Sequence, residues 1–217
     1  NVKPTMSITS TTVTSGSTTN DSSINLIFTS SKPTNDFSLN DITVTNGSIT
    51  SFSGSGTIYS ATFTPFAAGP TTINVLEDVY TDSIGNSNQA LLSEFNWTYD
   101  NVKPTISITS STINDGDTSN DSSISLIFTS SATTTNFVEG DITVTNGFIS
   151  NFIGSGTTYT ATFTPSATGP TTINVLEDVY TDSVGNSNIA ASEFNWFYDN
   201  VKPTMSITST TVTSGST

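Results

Sequence analysis

The sequence predicts an all-β protein made of two antiparallel β-sandwiches in tandem, and three observations carry that prediction. Residues 1–100 return as residues 101–199 with about three positions in four unchanged. Apolar residues alternate with polar ones along each copy, the period-two mark of half-buried strands, and no helical period appears. Gly, Pro, Asn and Asp interrupt the alternation at roughly ten-residue intervals, as the turns of a sandwich do. A repeat of this length is too long for a solenoid turn and fits a whole domain.

The elements of the first repeat follow in order. A first strand is expected at 5–10. The next, 23–30, puts Ile24, Leu26 and Phe28 on one face. At 41–45, Ile42 and Val44 point inward, and Asn46-Gly47 makes a tight turn. Strands at 48–53 and 58–64 flank a Gly54-Ser55-Gly56 turn, the second turning Tyr59, Ala61 and Phe63 inward. Beyond Pro65 and the Gly69-Pro70 break, 71–77 carries Ile73 and Val75, and 94–99 carries Phe95, Trp97 and Tyr99. Trp97 and Trp196 are read as core aromatics. Seven short strands and no helix indicate tandem seven-stranded antiparallel immunoglobulin-like β-sandwiches. The domains expected are 1–100 and 101–199. Residues 200–217 repeat residues 1–18 without a change and are expected to be the first strand of a truncated third repeat.

Composition removes several classes of function. Four lysines, no arginine and 18 acidic residues give a net charge of −14. Such a surface repels phosphate backbones, so no nucleic-acid partner is expected. Without His or Cys the usual general bases, thiol nucleophiles and zinc ligands are missing. No enzyme is expected. No apolar run approaches the roughly 18–20 residues of a spanning helix. Sequons stand at Asn20, Asn46, Asn96 and Asn120, and their use depends on the host.

Three stretches carry a resemblance. They are Asp41-Ile42-Thr43-Val44-Thr45-Asn46-Gly47, the run 54–65 (GSGTIYSATFTP), and Thr81-Asp82-Ser83-Ile84-Gly85-Asn86 leading to Phe95-Asn96-Trp97-Thr98-Tyr99-Asp100 and Pro104-Thr105. The same words recur at 141–147, 154–165, 181–186 and 194–199. Together they resemble the bacterial Ig-like domains strung in tandem in large repetitive surface proteins and adhesins. The resemblance implies an extracellular, non-enzymatic extender or adhesive module at a cell or particle surface. It also implies that calcium is bound at the domain junctions of some such arrays. Lys3, Lys103 and Lys202 stand before the junction proline, where the family usually has a small apolar residue.

The junction Asp100-Asn101-Val102-Lys103-Pro104 is the candidate site. Proline fixes its own φ and holds Lys103 extended, which makes the connection semi-rigid. Hard cations take roughly six to eight oxygens, from carboxylates and Asn carbonyls among others. With the Glu77-Asp78 pair and the Asp82 turn expected at the same end of the sandwich, the candidate Ca²⁺ ligands are Asp100, Asn101, Glu77, Asp78 and Asp82. Their counterparts are Asp199, Asn200, Glu177, Asp178 and Asp182. The competing reading has Asp82 and Asn86 closing a turn by side-chain bonds to the backbone, and Lys103 pairing with junction carboxylates. A second acidic group, Asn114-Asp115-Gly116-Asp117, found in the second copy alone and followed by Asn120-Asp121, reads as a solvated loop.

The function expected is a structural extender of a long extracellular fibre, stalk or adhesin, its partners the neighbouring repeats of the same chain. One alternative is a filament subunit in which 200–217 donates its strand to another copy. The other is a glycan- or receptor-binding module using loops 11–20 and 32–40, where the two copies differ most.

Overall fold

The computed structural model describes residues 2–211 and 214–215; the third-copy expectation for 212, 213, 216 and 217 lies outside them. Its two compact units have their main boundary between Lys103 and Pro104. In unit one the strands are β1 (Met6–Ser10), β2 (Thr18–Thr19), β3 (Ile24–Thr34), β4 (Ile42–Thr45), β5 (Gly47–Pro65), β6 (Gly69–Val75) and β7 (Phe95–Tyr99). One sheet has the order β1-β3-β5 and the other β2-β7-β6-β4. Every pairing is antiparallel except β2 with β7. These are Ig-like β-sandwiches.

Alternation builds the core directly. Ile24, Leu26 and Phe28 on β3 stand opposite Phe63, Ala61 and Tyr59 on β5. From the other sheet come Ile73 and Val75 of β6 and Phe95 and Trp97 of β7, all buried. Each large apolar side chain so buried contributes about 1.5–3 kcal/mol, set against about 1–2 kcal/mol of backbone entropy per ordered residue. Phe37, which the strand pattern does not single out, sits among Phe28, Phe52, Tyr59 and Tyr80 at ring distances of 5.1–5.8 Å.

The 19 residues of β5 would span about 60 Å if straight, and they fold back instead. Gly54 and Gly56 have φ of +140° and +68°, and Ser53 Oγ lies 3.3 Å from Ser60 Oγ. The two strands expected at 48–53 and 58–64 are thus two arms of one hairpin, the second arm paired with β3. Asn46-Gly47 is a corner between sheets, since β4 belongs to one and β5 to the other. The corner needs glycine for contact: a Cβ on Gly47 would lie 2.1 Å from the Phe63 ring.

Other departures from expectation have local causes. β3 runs on to Thr34 through a register shift after Thr29, and that irregularity accommodates Pro33. β6 begins at Gly69 rather than Thr71, with Pro70 tolerated opposite Thr98 because the Thr98 N–H points the other way, to Ser17 O just before β2. A single 3-10 turn at Leu39–Asp41 interrupts the all-strand pattern, held by Asp41 Oδ2 accepting from Ser38 N at 2.7 Å. β2 has two residues, too few for any period to show.

Unit two repeats the plan with β8 (Ile106–Ser110), β9 (Thr118–Ser119), β10 (Ile124–Thr134), β11 (Ile142–Thr145), β12 (Gly147–Pro165), β13 (Gly169–Val175) and β14 (Phe194–Tyr198). Its sheets are β8-β10-β12 and β9-β14-β13-β11. Residues 205–209 carry the letters of β1 yet form no strand, and Met205 and Ile207 are exposed. β1 forms by pairing with β3, and the sequence contains no third copy of β3.

Candidate functional site

The long segment between β6 and β7 holds most of the candidate residues, and one buried amide organises it. Asn88 Oδ1 accepts from the N–H groups of Val79 (2.8 Å) and Tyr80 (3.0 Å). Its Nδ2 donates to the carbonyls of Leu76 (2.7 Å) and Gln89 (2.9 Å). Asn188 repeats all four bonds in unit two. The sequence reading missed this residue; an Asn in an Asn-rich loop carries no periodic signal.

Asp82 closes the turn expected of it. Oδ1 accepts from the N–H groups of Ile84 (3.1 Å) and Asn86 (2.9 Å). Oδ2 accepts from Asn86 Nδ2 (2.8 Å) and Lys32 Nζ (3.0 Å). The Asn86 amide, with these N–H groups and the Lys32 ammonium, holds the carboxyl far below the usual range although burial acts the other way. Asp36 is tied similarly. Burial raises its pKa, but bonds from Thr34 Oγ1 and from the N–H and Oγ1 of Thr81 outweigh that and lower it. Lys32 and Asp36 also escaped the sequence reading. They lie some 50 residues away in sequence from what they hold.

The candidate calcium ligands do not converge within a unit. β6 and β7 are antiparallel, pairing Ile73 with Phe95 and Gly69 with Tyr99. Glu77, Asp78 and Asp82 follow the Val75 end of β6. Asp100 and Asn101 follow the Tyr99 end of β7, at the opposite end of the sandwich, about 14 Å or more away at strand spacing. The expectation of a shared end is therefore corrected. In unit two, Glu177, Asp178 and Asp182 are separated in the same way from Asp199 and Asn200. Among the described residues no three acidic side chains gather where a cation could be held.

Each end has its own local task. Asp78, at φ +60°, receives Lys3 Nζ at 2.9 Å, an exposed pair worth at most about 1 kcal/mol. Asp100 Oδ1 accepts from Val102 N at 3.0 Å, and Asp199 Oδ1 from Val201 N at 2.9 Å, so both carboxylates turn the outgoing chain. In the second acidic group, Asp117 Oδ2 accepts from Asn114 N and Asp115 Oδ1 from Asn195 N. Trp97 and Trp196 are core residues, 2% and 3% exposed.

Paired small sandwiches whose polar side chains close turns define a tandem Ig-like protein. A family model described as "Bacterial Ig-like domain" matches residues 1–99 and again 100–197, and the chain belongs to that family. Solved structures with a similar fold include the Escherichia coli adhesin FdeC, at 13% identity and TM-score 0.46, covering 88% of this chain and 63% of that one. The bacterial integrin-binding protein invasin is similar at 20% identity and TM-score 0.42, covering 89% of this chain and 40% of that one. The Yersinia pseudotuberculosis adhesin InvE is similar at 11% identity and TM-score 0.30, covering 89% and 58%. This chain thus spans less than two thirds of each of those chains. Comparison with curated protein sequences gives no match.

Proposed function

We propose that the chain is a non-catalytic spacer, a length of an extracellular repeat array of the adhesin or surface-fibre kind. The observation that carries this reading is the position of the two ends of each unit. The chain comes in beside the start of β7 and leaves at its finish, so identical units can follow one another without doubling back. Asp82, Asp100 and Asp199 favour the same reading, because each accepts from backbone N–H groups of its own turn or outgoing linker. At strand spacing each repeat adds roughly 35–45 Å, loops included.

Small-angle scattering of chains with one, two and three repeats tests this. A constant increment in maximum dimension per repeat is expected; a maximum dimension that stops growing with added repeats overturns the reading. The same series in chelator and in millimolar Ca²⁺ asks whether Asp100, Asn101, Asp199 and Asn200 stiffen the linkers. An unchanged curve is expected, since Asp100 and Asp199 already bond the linker backbone.

A further inference from the structure

The two units display different side chains at one sheet edge. β12 is the last strand of its sheet and its second arm is paired with β10, so the first arm, residues 147–153, forms the edge. Unit one has Ser48 and Ser53 on the matching arm, where unit two has Phe148 and Ile153. Both replacements face solvent, at 54% and 68% exposure, while Ile149 and Phe152 between them pack on the core. Five steps separate Phe148 from Ile153, and strict alternation would set them on opposite faces. Asn151, at φ +52°, interrupts the alternation and brings both to the outer face. Ser51 has the same conformation, at φ +53°, so the two arms share a backbone and differ in what it carries.

Sheet edges invite pairing because their backbone groups lack partners, and proteins commonly blunt them with charge or proline. Residues 147–153 contain neither. All ten acidic residues of unit two lie outside 142–176, a stretch that has no Lys or Arg either. On a chain of net charge −14, two copies repel over most of their surface, and this stretch lets unit two make contact without that repulsion. The edge also matches itself. Two copies laid antiparallel about a two-fold axis between Ser150 and Asn151 set Phe148 of one opposite Ile153 of the other, and Ile149 opposite Phe152. Outward residues then meet outward ones and inward residues inward ones, as an isologous contact requires. The irregularity at Asn151 falls beside the axis and interrupts the pairing only at its centre. A slip of two residues sets Phe148 against Asn151 or Ser155 and loses the match.

We propose that the first arm of β12 is a self-association edge, through which unit two of one chain pairs antiparallel with unit two of a second copy, while unit one stays bare. The inference goes beyond the spacer reading and does not depend on it. Four apolar side chains make a small contact beside the roughly 1,200–2,000 Å² of a stable interface. A single pair is therefore weak, and chains carrying several such units join far more firmly.

Sedimentation equilibrium of the full chain from micromolar to millimolar concentration tests the edge, the expected result being a mass that climbs towards twice the monomer's. A monomer throughout overturns the proposal. Phe148→Ser and Ile153→Ser copy unit one at exposed positions. Each should raise the dimer dissociation constant about tenfold or more, because a two-fold contact uses every residue twice. Phe66→Ser removes a ring that is 73% exposed in unit one and should leave the constant unchanged. A dimer that ignores the first two variants, or weakens equally with the third, refutes the assignment. The register has its own check. The chain has no cysteine, so Ser150→Cys, beside the axis, should form disulfide-linked dimers in oxidised glutathione several-fold faster than Thr109→Cys. Thr109 lies on β8, at the opposite edge of the same sheet, and equal rates would overturn the edge pairing. Ser48→Phe with Ser53→Ile gives unit one the same edge, and association should then run past the dimer; a mass that stops at two chains counts against the edge. None of these outcomes alters the scattering increment of dilute monomers, which tests the spacer reading by itself.

Discussion

Unit one fastens its β6–β7 segment partly with charge, and unit two keeps the same backbone with less of it. Where unit one has Lys32 reaching Asp82, unit two has Ala132. Where Asp36 receives Thr81, Asn136 receives Thr181 through Oδ1 and donates to its Oγ1 through Nδ2. What both keep is the neutral amide, Asn88 or Asn188, with four bonds to the backbone. The difference teaches that the segment is shaped by buried hydrogen bonds, and that the ion pair of Lys32 with the buried Asp82 can be dispensed with while those bonds remain.

That ranking can be broken in order. Asn88→Ala and Asn188→Ala should cost most, roughly 3–5 kcal/mol each, because two N–H groups and two carbonyls lose their partners at a buried site. Denaturant unfolding of the chain measures it, and a cost much larger in one unit would break the equivalence. Gly47→Ala and Gly147→Ala come next. The new Cβ would lie 2.1 Å or 2.3 Å from a phenylalanine ring, an overpacking cost of about 1–3 kcal/mol by the same measurement.

The exchange of Asp36 for Asn is smaller and depends on pH. Asp36 has a depressed pKa in the fold, so its bonds stabilise above about pH 4 and are lost as pH falls through the folded value. Asp36→Asn should cost less than about 1 kcal/mol at pH 7, after solvent screening. Melts at descending pH should show the variant and the parent converging. Asn136→Asp should make unit two slightly more stable at pH 7, a gain that disappears as pH falls. Lys32→Ala, which copies unit two, should have the smallest effect, a slight loss of melting temperature, because the N–H groups of Ile84 and Asn86 and the Asn86 amide still hold Asp82.

How far the fold could be read depended on whether a feature is periodic. β3, β6, β7 and the second arm of β5 alternate, and their inward residues stand where the alternation puts them. β2 could not be read, since two residues have no period and a parallel pair is made by backbone alone. The corner at Asn46-Gly47 was legible as a turn but not as a change of sheet, because that depends on which strand β4 meets. The candidate site was read less well. Its residue types were right for turn closure, but the shared end assumed for Glu77, Asp78 and Asp100 ignored connectivity. A segment joining two antiparallel strands lies at the end opposite to the second strand's finish. Asn88, Lys32 and Asp36 act across folded distance, and a single sequence carries no sign of that.

The burial of one indole in each unit has a practical side. Trp97 and Trp196 are the two tryptophans of the chain, each enclosed in its own core. Their fluorescence is therefore a separate lamp for each domain. With Trp97→Phe the remaining emission reports on unit two, and with Trp196→Phe on unit one. The two near-identical beads can then be watched independently within one molecule as they melt.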